Sequence, residues 1–562
     1  MQPLIECVPN FSEGRDADVI RRITDRVETV EGVRLLGVDP GKATNRTVVT
    51  FVGPPEPVCE AAFRAAAAAA ELIDMRRHSG AHPRFGAMDV CPLVPVAGIT
   101  MAQTVEYARK LGRRIGEELG IPVYLYEYAA SRPERRNLAA VRAGEYEGLA
   151  DRIATAEGKP DFGPAEFNAQ SGAVAVGARD FLVAYNVNLN TTSTRRANAI
   201  AFDIREKGRV KTVDGEPGSK PVLDKKGQKV WEPGSLKCVK AIGWFIEEYG
   251  VAQISINLTN LGVTAVHVAF DECCRRAEAR GIRVTGSEIV GLVPMSAMLE
   301  AGRYFLRKQN RSLGVSDREL IKIAVKSLGL DDLYPFKPEE KIIELAIADP
   351  DASKKRLVDG SVESFVDLSA SEAPAPGGGS VSALVGALGA AMSTMVANLS
   401  SHKRGWDDRW EEFSAWAEKG KAHWVELLRL VDEDTEAFTG VMAALGLPQG
   451  SDAEKAARAV AIDAATRRAI DVPLAVMERA LSSMEVSKAM AETGMEASVS
   501  DAGVAAICAR AAVMGAHLNV KINASNLGDK AAAAEYLRRA GAIEAKTLAL
   551  EPEILKIVGG KL

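Results

Sequence analysis

The hydrophobic pattern of this chain changes near residue 360, and no single fold accommodates both parts. Before that point, short apolar strand patterns alternate with amphipathic helical patterns. After it, strand signals vanish and Ala-rich helical periodicity continues to the end. The chain has 562 residues, more than the roughly 250–300 that one hydrophobic core accommodates. We therefore predict a multidomain protein with an α+β part followed by an all-α part.

The first part begins with a unit whose patterns follow the order β-α-β-β-α-β-α-β. Strands are predicted near Leu4–Val8, Val33–Val38, Val48–Val52, Val90–Val94 and Val123–Tyr126, and helices over Asp16–Val30, Glu56–Met75 and Thr104–Leu119. The short loop Asp39–Arg46 contains glycine and joins the second and third strands as a hairpin. We therefore predict a mixed sheet with helices on one face, as in ferredoxin-like units, and not a doubly wound fold.

A second, similar unit follows from Phe181 to Ser287. The segment Gly208–Ser235 inside it is rich in Lys, Gly and Pro, which predicts a long exposed loop or hairpin. Both units carry asparagines just after their opening strand, namely Asn10, Asn186, Asn188 and Asn190. Two such units facing each other form a cleft, which is a common location for a small-molecule site.

The domain boundaries follow from these changes of pattern. We predict two α+β domains over residues 1–178 and 179–335, a linker over 336–360, and a helical domain over 361–562. Some predicted helices approach 40 residues, which corresponds to ~60 Å at the helical rise per residue. The helical domain is therefore expected to be an elongated bundle.

Composition excludes several classes of function. The formal net charge of −5 provides no basic field for nucleic acid. Seven cysteines without a CxxC pair, and a start without a secretory signal, predict a cytoplasmic protein. The uncharged segment Ala373–Ser401 is long enough for a membrane span, but it consists mostly of small residues. We therefore predict a buried bundle helix there and no membrane insertion.

His78 and His82 form the first candidate site. Their i, i+4 spacing suits a helical metal pair, but the glycine between them and the proline after them argue against a helix. Metal binding is the weaker interpretation, and a functional histidine on a shaped, partly exposed loop competes evenly with a capping or core histidine. Asp39 in the hairpin loop is placed to orient an imidazole, although Asp39-Pro40-Gly41 is also a good turn sequence.

Asp434 is the candidate that helical periodicity singles out. Among the four acids of LVDEDTEAF, it alone falls on the apolar stripe formed by Leu427, Leu430, Val431, Phe438, Val441 and Leu445. A buried carboxylate must be paired, protonated or functional, because desolvating an unpaired charge costs several kcal/mol. A buried ion pair or a hydrogen bond to a facing helix explains the position equally well.

Three weaker candidates are polar groups at predicted helix ends. Arg195 and Arg196 begin a helix and suit a carboxylate clamp or a solvated first turn. The glycine-rich segment 374–380 suits a polar ligand or an ordinary N-cap at Ser380, before a helix with an apolar stripe at Val381, Leu384, Leu388, Met392, Met395 and Leu399. Periodicity does not explain a polar group that follows a later helix, namely His517, Asn519, Lys521 and Asn523.

Several long motifs occur in order along the chain. In the first part they are VPNFSEG at 8–14, ATNRT at 43–47, HPRFGAMDVCPLVP at 82–95, RAGEYEGL at 142–149 and PDFGP at 160–164. Together these motifs closely resemble the formiminotransferase family. Further motifs extend the resemblance to the bifunctional formiminotransferase-cyclodeaminase family over nearly the whole chain, namely EIVGLVP at 288–294, APAPGGGSVSALVGALGAAM at 373–392, LVDEDTEAF at 430–438 and LNVKIN at 518–523.

The resemblance implies two reactions in histidine degradation. The formimino group of N-formimino-L-glutamate passes to tetrahydrofolate, and 5-formimino-tetrahydrofolate then cyclises to 5,10-methenyl-tetrahydrofolate with loss of ammonia. It further implies a homo-oligomer, a tetrahydrofolate co-substrate with a mono- or polyglutamate tail, and no metal. The insertion at 208–235 is longer than this family leads us to expect.

The resemblance also assigns roles to residues. His82 is the implied acid/base of the transferase, Asp39 supports it, and Asp434 is the cyclodeaminase carboxylate. The implied folate-binding stretch is Gly163, Pro164, Ala165, Glu166, Phe167, Asn168, Ala169, Gln170, Ser171 and Gly172, of which Asn168-Ala169-Gln170 departs from the family pattern.

Two alternatives stay open at this stage. One keeps the folate chemistry but changes a step, with a glutamate formyltransferase in the first part or a methenyl-tetrahydrofolate cyclohydrolase in the helical domain. The other is not enzymatic in the second part, where the helices serve as a dimerisation bundle and Asp434 is a structural polar residue.

Overall fold

The computed structural model describes residues 3–41, 45–80, 84–215, 219–347 and 356–562. These residues form two compact units. An α+β unit contains the described residues up to Ala297 and the segment 328–347, and a helical unit contains 298–327 and 356–562. The α+β part and the all-α part predicted from the sequence are both present, and each unit is considered by itself.

The first sheet of the α+β unit has seven strands, β1 (Leu4–Cys7), β2 (Asn10–Phe11), β3 (Arg34–Gly41), β4 (Arg46–Gly53), β5 (Met88–Ala97), β6 (Val123–Glu127) and β7 (Val174–Ala178). Strands β3 and β4 pair antiparallel up to Gly41 opposite Arg46, which confirms the predicted hairpin. Strand β7 pairs parallel with both β5 and β6, whereas β5 pairs antiparallel with β1 and β2. The sheet is therefore mixed, as predicted.

Helices cover this sheet because its strands present apolar side chains on both faces. The helices are α1 (Ala17–Glu28), α2 (Pro55–Leu72), α3 (Met101–Leu119), α4 (Leu138–Val141) and α5 (Leu149–Ile153). The main core packs Ile5, Phe51 and Leu93 of the strands against α1, α2 and α3. A smaller cluster on Val90 and Tyr126, on the opposite face, includes side chains of α4 and α5, so the prediction of helices on one face is wrong for this sheet.

The second sheet has the ferredoxin-like strand order β11-β12-β8-β13 with antiparallel pairing throughout. The strands of this region are β8 (Val183–Leu189), β9 (Arg209–Val210), β10 (Trp231–Glu232), β11 (Val239–Ile246), β12 (Val251–Leu258) and β13 (Val284–Val290), with helices α6 (Thr194–Ile204) and α7 (Val266–Glu278). Strands β9 and β10 pair antiparallel at the base of the insertion, which is therefore a hairpin, as one of the two predicted alternatives stated.

Between the second sheet and residue 347, the described residues form four helices, α8 (Met295–Lys308), α9 (Asp317–Leu328), α10 (Pro338–Lys341) and α11 (Ile343–Ala346). The chain crosses from one compact unit to the other within α8 and again near the end of α9. The predicted domain boundaries at 178, 335 and 360 stay predictions.

The helical unit consists mainly of six helices, α12 (Val362–Ala370), α13 (Gly378–Ser401), α14 (Trp410–Leu445), α15 (Asp452–Thr493), α16 (Val499–Ser525) and α17 (Lys530–Gly559). Helices α14 and α15 have 36 and 42 residues, which corresponds to about 54 and 63 Å. The bundle is therefore elongated. Its core includes Leu427, Leu430 and Val431 of α14 and Ile470 and Met477 of α15.

Helix α13 turns its small residues inward and its large apolar residues outward. Gly386, Gly389 and Ala390 are among the residues that it buries, and they allow close approach of α16. The stripe read from the sequence is instead largely exposed, with Leu388 at 56%. Periodicity located this stripe, but small residues occupy the packing face because larger side chains would hold α16 away.

Three further expectations for the helical unit are wrong. The N-cap of α13 is Gly377 and not Ser380, which is the third residue of the helix. Helix α16 continues to Ser525, so the polar group from His517 to Asn523 lies inside the helix. The outer part of the α14 stripe is exposed at Phe438 and Leu445, because beyond Val431 the helix buries small residues instead, namely Ala437 and Ala444.

Two helical segments, Gly378–Ser401 and Glu496–Ser525, are long and apolar enough to cross a membrane by length and composition. Their most apolar windows are 61% and 50% buried within the protein. Such burial is typical of core helices in a bundle, and it supports the prediction made for Ala373–Ser401.

Candidate active sites

A cavity of about 900 Å³ lies between the two sheets of the α+β unit. Its lining includes Asn10 and Arg46 from the first sheet, Arg136 and Arg142 from the segment after β6, and Lys240 from β11. Five cationic side chains line the cavity against three acidic ones, which are Glu127, Glu145 and Asp180. The predicted cleft is therefore present, and its cationic lining suits carboxylate groups.

Two of the five cations that line this cavity are held by one buried carboxylate. Asp89 at the start of β5 is fully buried, and its Oδ2 accepts hydrogen bonds from both Arg46 and Arg142. Arg46 also donates through Nε to Asn10 Oδ1 at 3.0 Å. Burial lowers the pKa of Arg46, and the negative charge of Asp89 acts in the opposite direction. Asp89 thus holds two arginines at the cavity wall.

The other predicted asparagines do not line this cavity. Asn188 of β8 is fully buried, and it donates to Asp332 Oδ2 at 3.0 Å and accepts from Gln253 Nε2 at 2.8 Å. Asn186 donates to Glu288 Oε2 at 3.2 Å. These two asparagines therefore satisfy buried polar groups of the second sheet, and of the four asparagines only Asn10 contributes to the described cavity wall.

His78 is fixed by hydrogen bonds at both ring nitrogens. Its Nε2 lies 2.8 Å from the carbonyl oxygen of Asn45, and its Nδ1 accepts a hydrogen bond of 3.1 Å from Arg84 Nε. Burial lowers the pKa of the His78 imidazole. A neutral imidazole with both nitrogens engaged acts as a clamp between the hairpin loop and Arg84. His82 lies outside the described residues.

Asp39 lies on β3 opposite Val48 and is exposed. It is not among the residues that line the large cavity. Within the described residues, the backbone carbonyl of Asn45 and the Arg84 guanidinium orient the histidine of this region, His78. The support of His82 by Asp39 therefore stays a prediction.

The stretch Gly163–Gly172 packs beside the motif that contains His82. Gly172 forms a β-bridge with Gly86, and Phe167 lies against Tyr146 with ring centroids 5.5 Å apart. Its first five residues are exposed, and Ser171 and Gly172 are buried. The stretch does not line the large cavity. Arg84, which belongs to the same motif as His82, contacts the cavity wall, because it forms an ion pair of 3.7 Å with the cavity residue Glu145.

Asp434 of α14 lies at the N-terminal end of α13. Its Oδ2 accepts a hydrogen bond of 3.0 Å from Ser380 Oγ, and the backbone N–H of Ser380 also donates to the carboxylate. Burial raises the pKa of Asp434, and the two hydrogen bonds from Ser380 oppose that rise. Of the interpretations left open by the sequence, a hydrogen bond to a facing helix is therefore observed.

The other acids of the same segment have different partners. Asp432 accepts from the backbone N–H of Leu357 at 2.6 Å, and Glu433 is ion-paired with Arg429. Glu436 is exposed. Among the four acids, Asp434 is the one that contacts the glycine-rich start of α13.

The remaining sequence candidates take structural positions in the described residues. Arg195 and Arg196 are exposed in the first turn of α6 and do not line the large cavity. His517 Nδ1 lies 3.0 Å from Glu544 Oε1, and Asn523 Nδ2 donates to the carbonyl oxygen of Ala469 at 2.7 Å. These polar groups of α16 connect it to neighbouring helices.

Sequence reasoning missed Asp89, Arg142 and Glu6. Glu6 of β1 is only 5% exposed, and burial raises its pKa to about 7, opposed by the charge of the cavity residue Arg179. All three were hidden because their significance comes from burial and from distant partners. An acid inside an apolar strand pattern, as in LIEC and MDVCPLVP, was the available signal.

Comparison with protein families assigns the chain in three consecutive segments. Residues 4–179 match the formiminotransferase domain, N-terminal subdomain, and residues 184–348 match the formiminotransferase domain. Residues 361–542 match the formiminotransferase-cyclodeaminase family. The three matches together span most of the chain in the order that the motifs indicated.

Curated relatives cover the whole chain or one of its parts. Formimidoyltransferase-cyclodeaminase of Sus scrofa is 42% identical over 98% of both chains. Glutamate formimidoyltransferase of Thermoplasma acidophilum is 43% identical over 57% of this chain and 98% of its own. Methenyltetrahydrofolate cyclohydrolase of Methylorubrum extorquens is 39% identical over 36% of this chain and 97% of its own.

Proposed function

Because this chain belongs to the formiminotransferase-cyclodeaminase family, we propose that it catalyses two consecutive steps on tetrahydrofolate in histidine degradation. In the first step the formimino group of N-formimino-L-glutamate passes to N5 of tetrahydrofolate. In the second, 5-formimino-tetrahydrofolate cyclises to 5,10-methenyl-tetrahydrofolate and ammonia leaves. The full-length similarity to a bifunctional relative carries this proposal, since it spans both the α+β unit and the helical unit.

For the transfer step, His82 is the proposed acid/base and Asp39 its proposed support. Attack of folate N5 on the amidine carbon gives a tetrahedral intermediate, which must lose a proton at one nitrogen and gain one at the other. An imidazole that titrates near neutrality serves both purposes. The engagement of both ring nitrogens of His78 supports this choice, because it leaves His82 as the histidine of the motif for proton transfer.

The cationic cavity is the proposed binding place for the carboxylates of the substrates. Formiminoglutamate and the glutamate tail of folate both carry carboxylates, and arginine binds this group in a bidentate manner. Arg136, Arg142 and Arg179 are better placed for this role than Arg195 and Arg196, since they line the cavity. The stretch 163–172 is the proposed contact for the ring system of a folate with a mono- or polyglutamate tail.

For the cyclisation step, Asp434 is the proposed proton relay. N10 attacks the formimino carbon, and the proton of N10 passes through the carboxylate to the nitrogen that leaves as ammonia. The raised pKa of Asp434 supports this role, because it brings the carboxyl group closer to the working pH. No step in either reaction requires a metal.

The first experiment follows methenyl-tetrahydrofolate and ammonia together, with purified protein, formiminoglutamate and tetrahydrofolate. Equal amounts of both products are expected. His82→Ala is expected to lose transfer while it still cyclises supplied 5-formimino-tetrahydrofolate. Asp434→Ala is expected to lose cyclisation while it still transfers the formimino group. If His82→Ala transfers at the wild-type rate, the assignment of the histidine is wrong.

A cyclohydrolase activity of the helical unit is the second candidate. The relative named methenyltetrahydrofolate cyclohydrolase, which matches over nearly its whole length, favours it. Supplied methenyl-tetrahydrofolate that is hydrolysed to formyl-tetrahydrofolate without ammonia would support this function. A parallel competition between formimino- and formyl-glutamate identifies the donor of the α+β unit.

We further propose a cytoplasmic homo-oligomer that assembles through the outer apolar face of α13 and α16. Exposed side chains of this face include Leu388, Met395, Ile507 and Leu518. The occupant proposed for this face is the same face of a second copy, because isologous apolar faces cover each other in a two-fold dimer. Leu388→Glu is expected to lower the mass measured by light scattering, and an unchanged mass would exclude this face.

A further inference from the structure

The carboxylate of Asp434 is held from two sides by consecutive residues of α13. Ser380 donates to it through both its hydroxyl and its backbone N–H, with 3.0 Å between Oγ and Oδ2. Ser380 is fully buried, and its Oγ also lies 3.3 Å from Thr435 Oγ1. The hydroxyl therefore has a defined place between two residues of α14.

Gly379 has no side chain, and the Asp434 carboxylate occupies the place where a Cβ atom of residue 379 would lie. A Cβ atom at this position would lie 2.1 Å from Asp434 Oδ1 and 2.5 Å from its Cγ. These distances are far below van der Waals contact, so any side chain at position 379 would displace the carboxylate. The absence of a side chain here is thus a geometric requirement of the observed position of Asp434.

No cation holds Asp434 in the described part of the chain. Within it, the structure records ion pairs for Glu433 but none for Asp434. The orientation of Asp434 therefore depends on the hydrogen bonds of Ser380 and on the fit against Gly379. A carboxylate held by a hydroxyl and an amide keeps lone pairs for a reacting proton, whereas a bidentate arginine would occupy both oxygens.

We propose that Ser380 and Gly379 are positioning residues for the cyclisation, which align the Asp434 carboxylate with the reacting nitrogens. The inference rests on the proposed role of Asp434 in that step. The formimino group reacts as its protonated amidinium, whose C=N double bond becomes a single bond as N10 bonds to the carbon and gives its proton to Asp434. The carboxyl group then delivers this proton to the other nitrogen as the C–N bond breaks, so that ammonia leaves and the carboxylate is restored.

The test uses the full chain with Ser380→Ala, Ser380→Cys and Gly379→Ala, and supplied 5-formimino-tetrahydrofolate. Each variant is expected to lower kcat for cyclisation by about 10–100-fold, since a displacement of about 1 Å at a reacting group has effects of this size. KM is expected to change by less than about threefold, because the positioned group acts on the reacting nitrogens. Circular dichroism and urea denaturation of each variant report whether the helical unit is folded, because the transfer step is proposed for the α+β unit and does not depend on it.

Gly440→Ala and Gly541→Ala are the matched controls, because a Cβ atom at either position meets no other group within 4 Å. Both are expected to cyclise at the wild-type rate. Ser380→Cys separates the hydrogen bond from packing, since it keeps the size of the side chain but supplies a weak donor. Wild-type kcat in this variant, or unchanged kcat in Gly379→Ala, would overturn the inference.

The same assay distinguishes this inference from the proposed function. If the wild-type protein does not cyclise the substrate, the proposed function itself fails. If the wild-type protein cyclises it and Asp434→Asn does not, but the variants at positions 379 and 380 match the controls, only the positioning role is wrong.

Discussion

Asp89 and Asp434 are both carboxylates beside a candidate active site, but the two units hold them in opposite ways. Asp89 in the α+β unit is fully buried and shared by Arg46 and Arg142. Asp434 in the helical unit accepts hydrogen bonds from Ser380, and burial raises its pKa. The first charge is compensated by two arginines, whereas among the described residues no ion pair is recorded for the second.

The largest expected effect is the loss of the compensated charge. Asp89→Asn leaves two arginines at a buried site without their carboxylate, and we expect the free energy of unfolding to fall by about 3–5 kcal/mol. Urea denaturation at neutral pH measures this change. The control Asp18→Asn removes an exposed ion pair with Arg21, which is worth about 0–1 kcal/mol. If both variants lose the same stability, the ion pairs of Asp89 do not stabilise the protein more than an exposed pair does. The contrast between Asp89 and Asp434 is then wrong.

Glu6 is a further test of the comparison. It lies in the α+β unit but resembles Asp434, because burial raises the pKa of both carboxyl groups. Burial raises its pKa from 4.5 to about 7 despite the charge of Arg179. A raised pKa means that folding favours the protonated form. The contribution of Glu6 to stability is therefore complete below about pH 4.5 and is lost as the pH rises through about 7.

We therefore expect Glu6→Gln to stabilise the protein at pH 8 by on the order of 3 kcal/mol. The gain is expected to shrink as the pH falls from 7 towards 4.5. Urea denaturation of variant and wild type across this range measures it, with hydrogen exchange of β1 to locate the effect. A gain that does not depend on pH would show that Glu6 does not titrate in this window.

The sequence predicted Asp434 but not Asp89, for a physical reason. Asp434 lies on a long amphipathic helix, where Leu427, Leu430 and Val431 mark the buried face within a few residues. The partners of Asp89 lie 43 and 53 residues away along the chain. Local periodicity carries no information about such contacts.

The fold likewise has features that nearby residues in the sequence determine and features that distant residues determine. The hairpin of β3 and β4 and the ferredoxin-like order follow from turn residues and alternating patterns. The packing face of α13 does not, because its direction depends on the small residues that α16 must approach. The stripe at Leu388 was therefore located correctly, but its exposure was not predicted.

The smallest expected change in stability has the opposite sign from that of Asp89. Asp434→Asn keeps the size of the side chain and an oxygen that accepts from Ser380, but it removes a charge that burial disfavours. Folding favours the protonated Asp434, so its contribution is complete below the unfolded pKa and is lost as the pH rises through the higher folded pKa. At pH 7.5 we therefore expect the variant to be slightly more stable than the wild-type protein.

The same substitution is expected to lower the rate of cyclisation by at least about 100-fold, because an amide cannot relay the proton. Asp432→Asn is the matched control, since burial also raises the pKa of Asp432 and it lies on the same turn of α14. It is expected to cyclise normally. A variant at Asp434 that loses stability but keeps its cyclisation rate would instead make this carboxylate a helix-capping residue, and the two units would then differ in charge pairing without differing in chemistry.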